Sequence, residues 1–135
     1  MFVETWPSIN WGVVDYLRHP KAGYYALQRA DQPLLPSLDP HTLNWKAHQP
    51  GTLSFWVIND LPQAFSHSTL KWTVRQHNRV LAQGERSLDI AADSGSKIID
   101  VGVTPADDTA LRAEAKIVKD NVTLAENHWT LDVAP

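Results

Sequence analysis

From Leu111 to Ile117 the chain reads Leu-Arg-Ala-Glu-Ala-Lys-Ile, a strict apolar/polar alternation. Successive side chains of an extended strand point to opposite faces, so a period of two sends one face into a core and the other into water. The same period recurs at Leu53, Phe55 and Val57, and at Ile99, Val101 and Val103. It is clear again at Leu70, Trp72 and Val74, with Lys71, Thr73 and Arg75 in the polar phase. Half-buried strands of this kind belong to antiparallel sheets. Asn78-Arg79, Asp93-Ser94-Gly95 and Asp120-Asn121 lie between them and supply residue types that tolerate positive φ in tight turns. A last strand is read from Trp129 to Val133.

Six to eight short strands with turn signals at regular spacing predict an all-β fold, an immunoglobulin-like antiparallel β-sandwich over residues 41–135. The cysteine pair of antibody domains is absent, so only the architecture is predicted. Residues 31–40 carry Pro33, Pro36 and Pro40 and read as an extended linker or an edge strand, because proline cannot donate to a central ladder. Residues 1–30 break the pattern altogether. They run Trp6-Pro7-Ser8-Ile9-Asn10-Trp11-Gly12-Val13-Val14-Asp15-Tyr16, then Pro20-Lys21 and Tyr24-Tyr25, with aromatics and prolines far denser than elsewhere. Pro20 should break or restart a helix, so a loop, a turn and a helix from about Lys21 to Arg29 are expected. An isolated helix below roughly 12–15 residues is marginal in water and needs a neighbour to cover it.

The series Trp-Pro-Ser-Ile-x-Trp-Gly-x-x-Asp-Tyr, followed by Pro-Lys and Tyr-Tyr, resembles the end of the catalytic barrel in family 2 glycoside hydrolases. Within that family it is most similar to the branch of β-mannosidases and exo-β-glucosaminidases. The resemblance implies that residues 1–30 are the last loop and helix of a (β/α)8 barrel, a short remnant followed by a terminal sandwich. A complete barrel needs about 250 residues and does not fit in 135. The implied parent hydrolyses terminal β-mannosides with retention, using two carboxyl groups about 5–5.5 Å apart and no organic cofactor. Both catalytic glutamates of the family lie on earlier barrel strands, so the resemblance carries over no catalytic residue and makes this chain itself structural. Its implied partners are the catalytic barrel of the same polypeptide and a β-linked oligosaccharide.

Trp6 is the substrate-binding candidate. By resemblance it forms part of the wall of the sugar pocket, where an indole face stacks on the C–H face of a pyranose; the alternative is that it only packs the end of the barrel. Trp11, Asp15, Tyr16, Tyr24 and Tyr25 are expected to fix the loop and helix against neighbouring helices. Glu4 precedes Thr5-Trp6-Pro7, where the family places an acidic residue with neither catalytic role. Val3 departs from the asparagine expected before it.

The remaining composition excludes several classes. A net charge of −3 with scattered Lys and Arg gives no basic stripe, so no nucleic-acid partner is expected. With no cysteine there is no disulfide framework, thiolate nucleophile or thiolate metal site, which fits a reducing compartment such as the cytoplasm. The histidines at 19, 41, 48, 67, 77 and 128 show no close pairing, and no metal site is read from them. No run of about 18 apolar residues and no secretory leader is found, so no membrane partner is expected. Asn121-Val122-Thr123 matches a glycosylation sequon with no secretion signal behind it. A second class of reading is a free-standing carbohydrate-binding or protein-interaction sandwich. It needs exposed, coplanar aromatics, and since Trp72 and Trp129 alternate in phase with core positions, Trp45 and Trp56 are the candidates. Trp56 shares its strand face with Ile58, an apolar outer patch of the kind that marks docking.

Overall fold

The computed structural model describes residues 3, 4, 6 and 12–135. The chain divides into two compact units, Met1–Gln32 and Pro33–Pro135.

The second unit holds strands β1 (Leu34–Asp39), β2 (Trp45–Lys46), β3 (Gly51–Asn59), β4 (Phe65–Gln76), β5 (Arg79–Ile90), β6 (Ser94–Val103), β7 (Leu111–Lys119), β8 (Val122–Leu131) and β9 (Val133–Ala134). They form a three-stranded sheet in the order β1-β3-β6 and a four-stranded sheet in the order β5-β4-β7-β8. Every pairing within these two sheets is antiparallel. The chain changes sheet between β3 and β4, between β5 and β6, and again between β6 and β7, the crossing pattern of an immunoglobulin-type sandwich. Residues 34–39, in the proline-rich stretch, form an edge strand on β3.

The alternating positions fill the space between the sheets. Leu53, Phe55, Leu70, Val74, Leu111, Ala113 and Ile117 have no exposed surface, and Val57 and Ala115 have almost none. Phe55 stacks on Trp72 at 6.0 Å between ring centroids and meets Trp129 edge-on at 6.4 Å. The wide indole of Trp72 fits because its cross-strand neighbours are small: Ala115 on β7 and Gly84 on β5. A Cβ added at Gly84 would lie 2.5 Å from the Trp72 ring. Trp129 is half-buried and not fully enclosed, since it sits on the outermost strand of its sheet.

Local chemistry sets the ends of the strands. Asp120 and Asn121 both take positive φ (49° and 61°) in the two-residue connection from β7 to β8, as their side chains permit. The β4–β5 turn falls one residue earlier than expected. It is His77-Asn78, with His77 at φ 51° and Arg79 already paired with Gln76. The expected last strand is also divided: Trp129 to Leu131 end β8, while Val133 and Ala134 pair in parallel with Trp45 and Lys46. Two buried amides close the loops at the strand ends. Asn59 donates to the carbonyls of Gln63 and Ala91, both at 2.8 Å, and accepts the Leu61 N–H. Gln76 donates to the carbonyls of Asp107 and Thr109 at 3.0 and 2.6 Å and accepts the Ala106 N–H at 2.7 Å. Each side chain leaves the water but satisfies its donors and an acceptor lone pair, so burial does not orphan it.

The first unit contains one helix among its described residues, α1 (Ala22–Ala30), which starts just past Pro20. None of its nine residues is buried. Val14 makes a parallel bridge to Val3 and an antiparallel bridge to Pro20, which draws three pieces of chain together ahead of the helix.

Candidate functional site

Trp6, the sequence-derived substrate contact, lies in a bend and is 67% exposed. An indole that open to water is no part of a core. Beneath it in sequence, Glu4 is 3% exposed. Its carboxylate pairs with the Lys21 ammonium and accepts the Gly12 N–H at 3.2 Å, and its own N–H donates to the Val14 carbonyl at 2.9 Å. A carboxylate leaves water at tolerable cost only when paired and hydrogen-bonded. The residue ahead of the Trp-Pro series is therefore a structural tie. Its partner stands seventeen positions away, a separation that no local sequence motif signals.

Asp15 organises the next turn. Its Oδ1 accepts the His19 N–H at 2.8 Å, and this bond, ahead of the attraction of the His19 ring, holds its carboxyl below the ordinary carboxylate range. Tyr24 and Tyr25 meet edge-on at 5.4 Å. Trp6, Tyr16, Leu17, Tyr25 and Leu27 are all exposed large apolar side chains. Trp11 lies outside the described residues.

In the second unit, His41, Ser54 and Asp100 come together, a trio that sequence reasoning did not find. Ser54 donates to Asp100 at 2.5 Å, and His41 Nε2 lies 2.6 Å from the Ser54 oxygen. A hydroxyl has one proton, and here Asp100 takes it, so the histidine must be the donor to Ser54. A nucleophilic serine needs the opposite order, with histidine taking its proton and the carboxylate behind the histidine. Ser54 is also completely buried. The trio braces the turn after β1 against β3 and β6. The Ser54 hydroxyl, then Lys97 at 3.1 Å, keep the Asp100 carboxyl below its usual range.

The stand-alone sugar-binding reading loses one of its two indoles. Trp45, expected to be exposed, is 3% exposed: its ring lies flat over Gly51, which has no Cβ to hold it off. Trp56 is half-buried on the other face of β3, opposite Ser37 and Lys97, with Ile58 beside it in phase. Among the described residues no group of three or more His, Asp or Glu is arranged to hold a metal ion. No helix there is long and apolar enough to cross a membrane.

No protein-family model matches the chain. Beta-mannosidase B of Aspergillus niger is 32% identical over 68 residues, which is 47% of this chain and 8% of that protein. The crystal structure of a beta-D-mannosidase from Dictyoglomus thermophilum superposes with a TM-score of 0.70 over 96% of this chain and 15% of that one, at 17% identity. The chain resembles the C-terminal region of a β-mannosidase-like glycoside hydrolase of family 2. A family 2 glycosyl hydrolase from Bacteroides cellulosilyticus shares the fold at a TM-score of 0.53 and 8% identity, over 75% of this chain and 14% of that one. At such identities the structural likenesses show fold alone, and the matched stretch of the chain spans less than a tenth of the length of the curated mannosidases.

Proposed function

We propose that this chain serves a retaining glycosidase that removes terminal β-mannosyl residues, with the sandwich as its buttress and Trp6 on the wall of its sugar pocket. The observation that carries this reading is the open indole of Trp6, two residues from the buried carboxylate of Glu4, in the one segment whose residue order resembles the end of a family 2 barrel. Stacking on an apolar pyranose face needs a large flat side chain held at the surface, and Trp6 has that exposure. The barrel of the same polypeptide is the proposed partner for the apolar side chains of the first unit, and its two carboxyl groups would perform the double displacement. This chain contributes shape and binding surface, and needs no organic cofactor.

The test is hydrolysis of an aryl β-mannoside by the longer polypeptide that includes this sequence, with the 135-residue chain as control. The proposal expects turnover with retained anomeric configuration by the longer protein and none by the chain alone. Turnover of β-glucosaminides with no action on β-mannosides would move the assignment to the neighbouring branch. Inactivity on every β-glycoside tried would sink it.

A further inference from the structure

The first unit spends its one buried carboxylate on an unusual piece of geometry. Glu4 stands at one end of residues 5–11, and the N–H it accepts, that of Gly12, stands at the other. The same carboxylate reaches Lys21, the residue immediately before α1, whose own N–H donates to the Val13 carbonyl at 2.8 Å. Three separate pieces of chain, Val3-Glu4, Gly12-Val13-Val14 and Pro20-Lys21, thus converge on one side chain. An apolar residue of the same size would fill that space as well, and replacing buried ion pairs by packed hydrophobes is often neutral or stabilising. What the apolar residue would lack is direction. A charged group that must meet both a backbone N–H and a distant ammonium permits one arrangement of those three pieces.

We propose that Glu4 is a positioning residue: ion-paired with Lys21 and bonded to the Gly12 N–H, its carboxylate clasps Glu4 in place and thereby fixes Trp6, two residues on, as a sugar-stacking platform. The sugar-stacking half of this statement rests on the reading of Trp6 given above; the clasp does not. Glu4→Gln keeps the shape and the acceptor for Gly12 but leaves the Lys21 ammonium, 35% exposed, without its counter-charge. Trp6 is then no longer held in one place.

The clasp is tested on the 135-residue chain by fluorine NMR after fluorotryptophan labelling, with the Trp6 line assigned by Trp6→Phe. In Glu4→Gln the Trp6 line should narrow and move toward the free amino acid, while the lines of Trp45, Trp72 and Trp129 stay in place. Glu4→Asp should restore it in part. A Trp6 line that does not move, or one that moves together with all the others as the chain unfolds, overturns the clasp.

The platform is tested on the longer polypeptide with an aryl β-mannoside. Misplacing a binding group by about an ångström can cost up to about a hundredfold, so Glu4→Gln should raise KM by roughly tenfold and change kcat less. The double variant Glu4→Gln, Trp6→Ala should match Trp6→Ala alone, because the clasp acts only through that ring. Additive losses would contradict the platform. If the longer wild-type protein hydrolyses no β-mannoside, the glycosidase reading fails with it, and the fluorine spectra still decide the clasp.

Discussion

The two units of this chain solve opposite problems. The sandwich encloses a continuous core in which Phe55, Leu53, Leu70, Leu111 and Ile117 have no exposed surface. The first unit has a nine-residue helix with none of its residues buried and leaves Trp6, Tyr16, Leu17, Tyr25 and Leu27 open. Burial of apolar area is the main favourable term in folding, so the sandwich holds its own stability and the first unit holds little. What the first unit has instead is a buried carboxylate, its ion pair and hydrogen bonds that specify where its pieces meet. One unit holds a core, the other a defined meeting of three pieces of chain.

The largest test of that contrast is Phe55→Ala. Removing a ring that stacks on Trp72 and meets Trp129 edge-on should cost about 3–5 kcal/mol in urea unfolding. A loss below about 1 kcal/mol would mean that the core is not the source of stability. Next comes Gly84→Val, which forces side-chain atoms into the Trp72 ring and should cost about 1–3 kcal/mol. Gly102→Ala, on β6 of the other sheet and with nothing within 4 Å of the added carbon, is the control and should lie near zero.

Acid should act on the two units separately. Asp100 and Asp107 have folded pKa values lowered from 3.8, by the Ser54 hydroxyl and the Thr109 N–H respectively, so each contributes stability that is full above 3.8 and is lost as pH falls through the folded value. Asp100→Asn should therefore flatten the fall in sandwich stability below about pH 3.8. Asp15 is lowered in the same sense through His19, but it belongs to the first unit, and Asp15→Asn should leave the sandwich's acid limb unchanged. A shift of that limb by Asp15→Asn would show that the units unfold as one. The smallest effect is predicted for Tyr25→Ser on the exposed helix, within about 0.5 kcal/mol on the chain alone.

The strands with a period of two were legible because their apolar side chains share one dry face: on β4 and β7 the other face is wet or half-wet, while on β3 Leu53, Phe55 and Val57 are buried and the second face is itself half-covered. β5 was not legible, because it lies at the sheet edge with both faces largely open and carries little alternation. Residue 98 escaped for another reason. Phe55 pairs with Ile99 and Trp56 with Lys97, so Ile98 is an extra residue in a bulge and packs against the core beside Ile99. Trp45 misled because its burial depends on Gly51 and a two-residue strand with β9, contacts that residue type does not reveal. In the candidate site, Trp6 is exposed, and its role as a sugar contact is a proposal that rests on the residues around it in sequence. The Glu4–Lys21 tie and the His41–Ser54–Asp100 brace span 17 and up to 46 residues, and such pairings are made by the fold and not by spacing.

Hydrogen exchange followed residue by residue on the 135-residue chain tests the contrast most directly. The account predicts the slowest amides in β3, β4 and β7, exchanging only through global unfolding, and near-unprotected amides in α1. Protection in α1 equal to that of the central strands would contradict it, for the first unit would then be as stable as the sandwich.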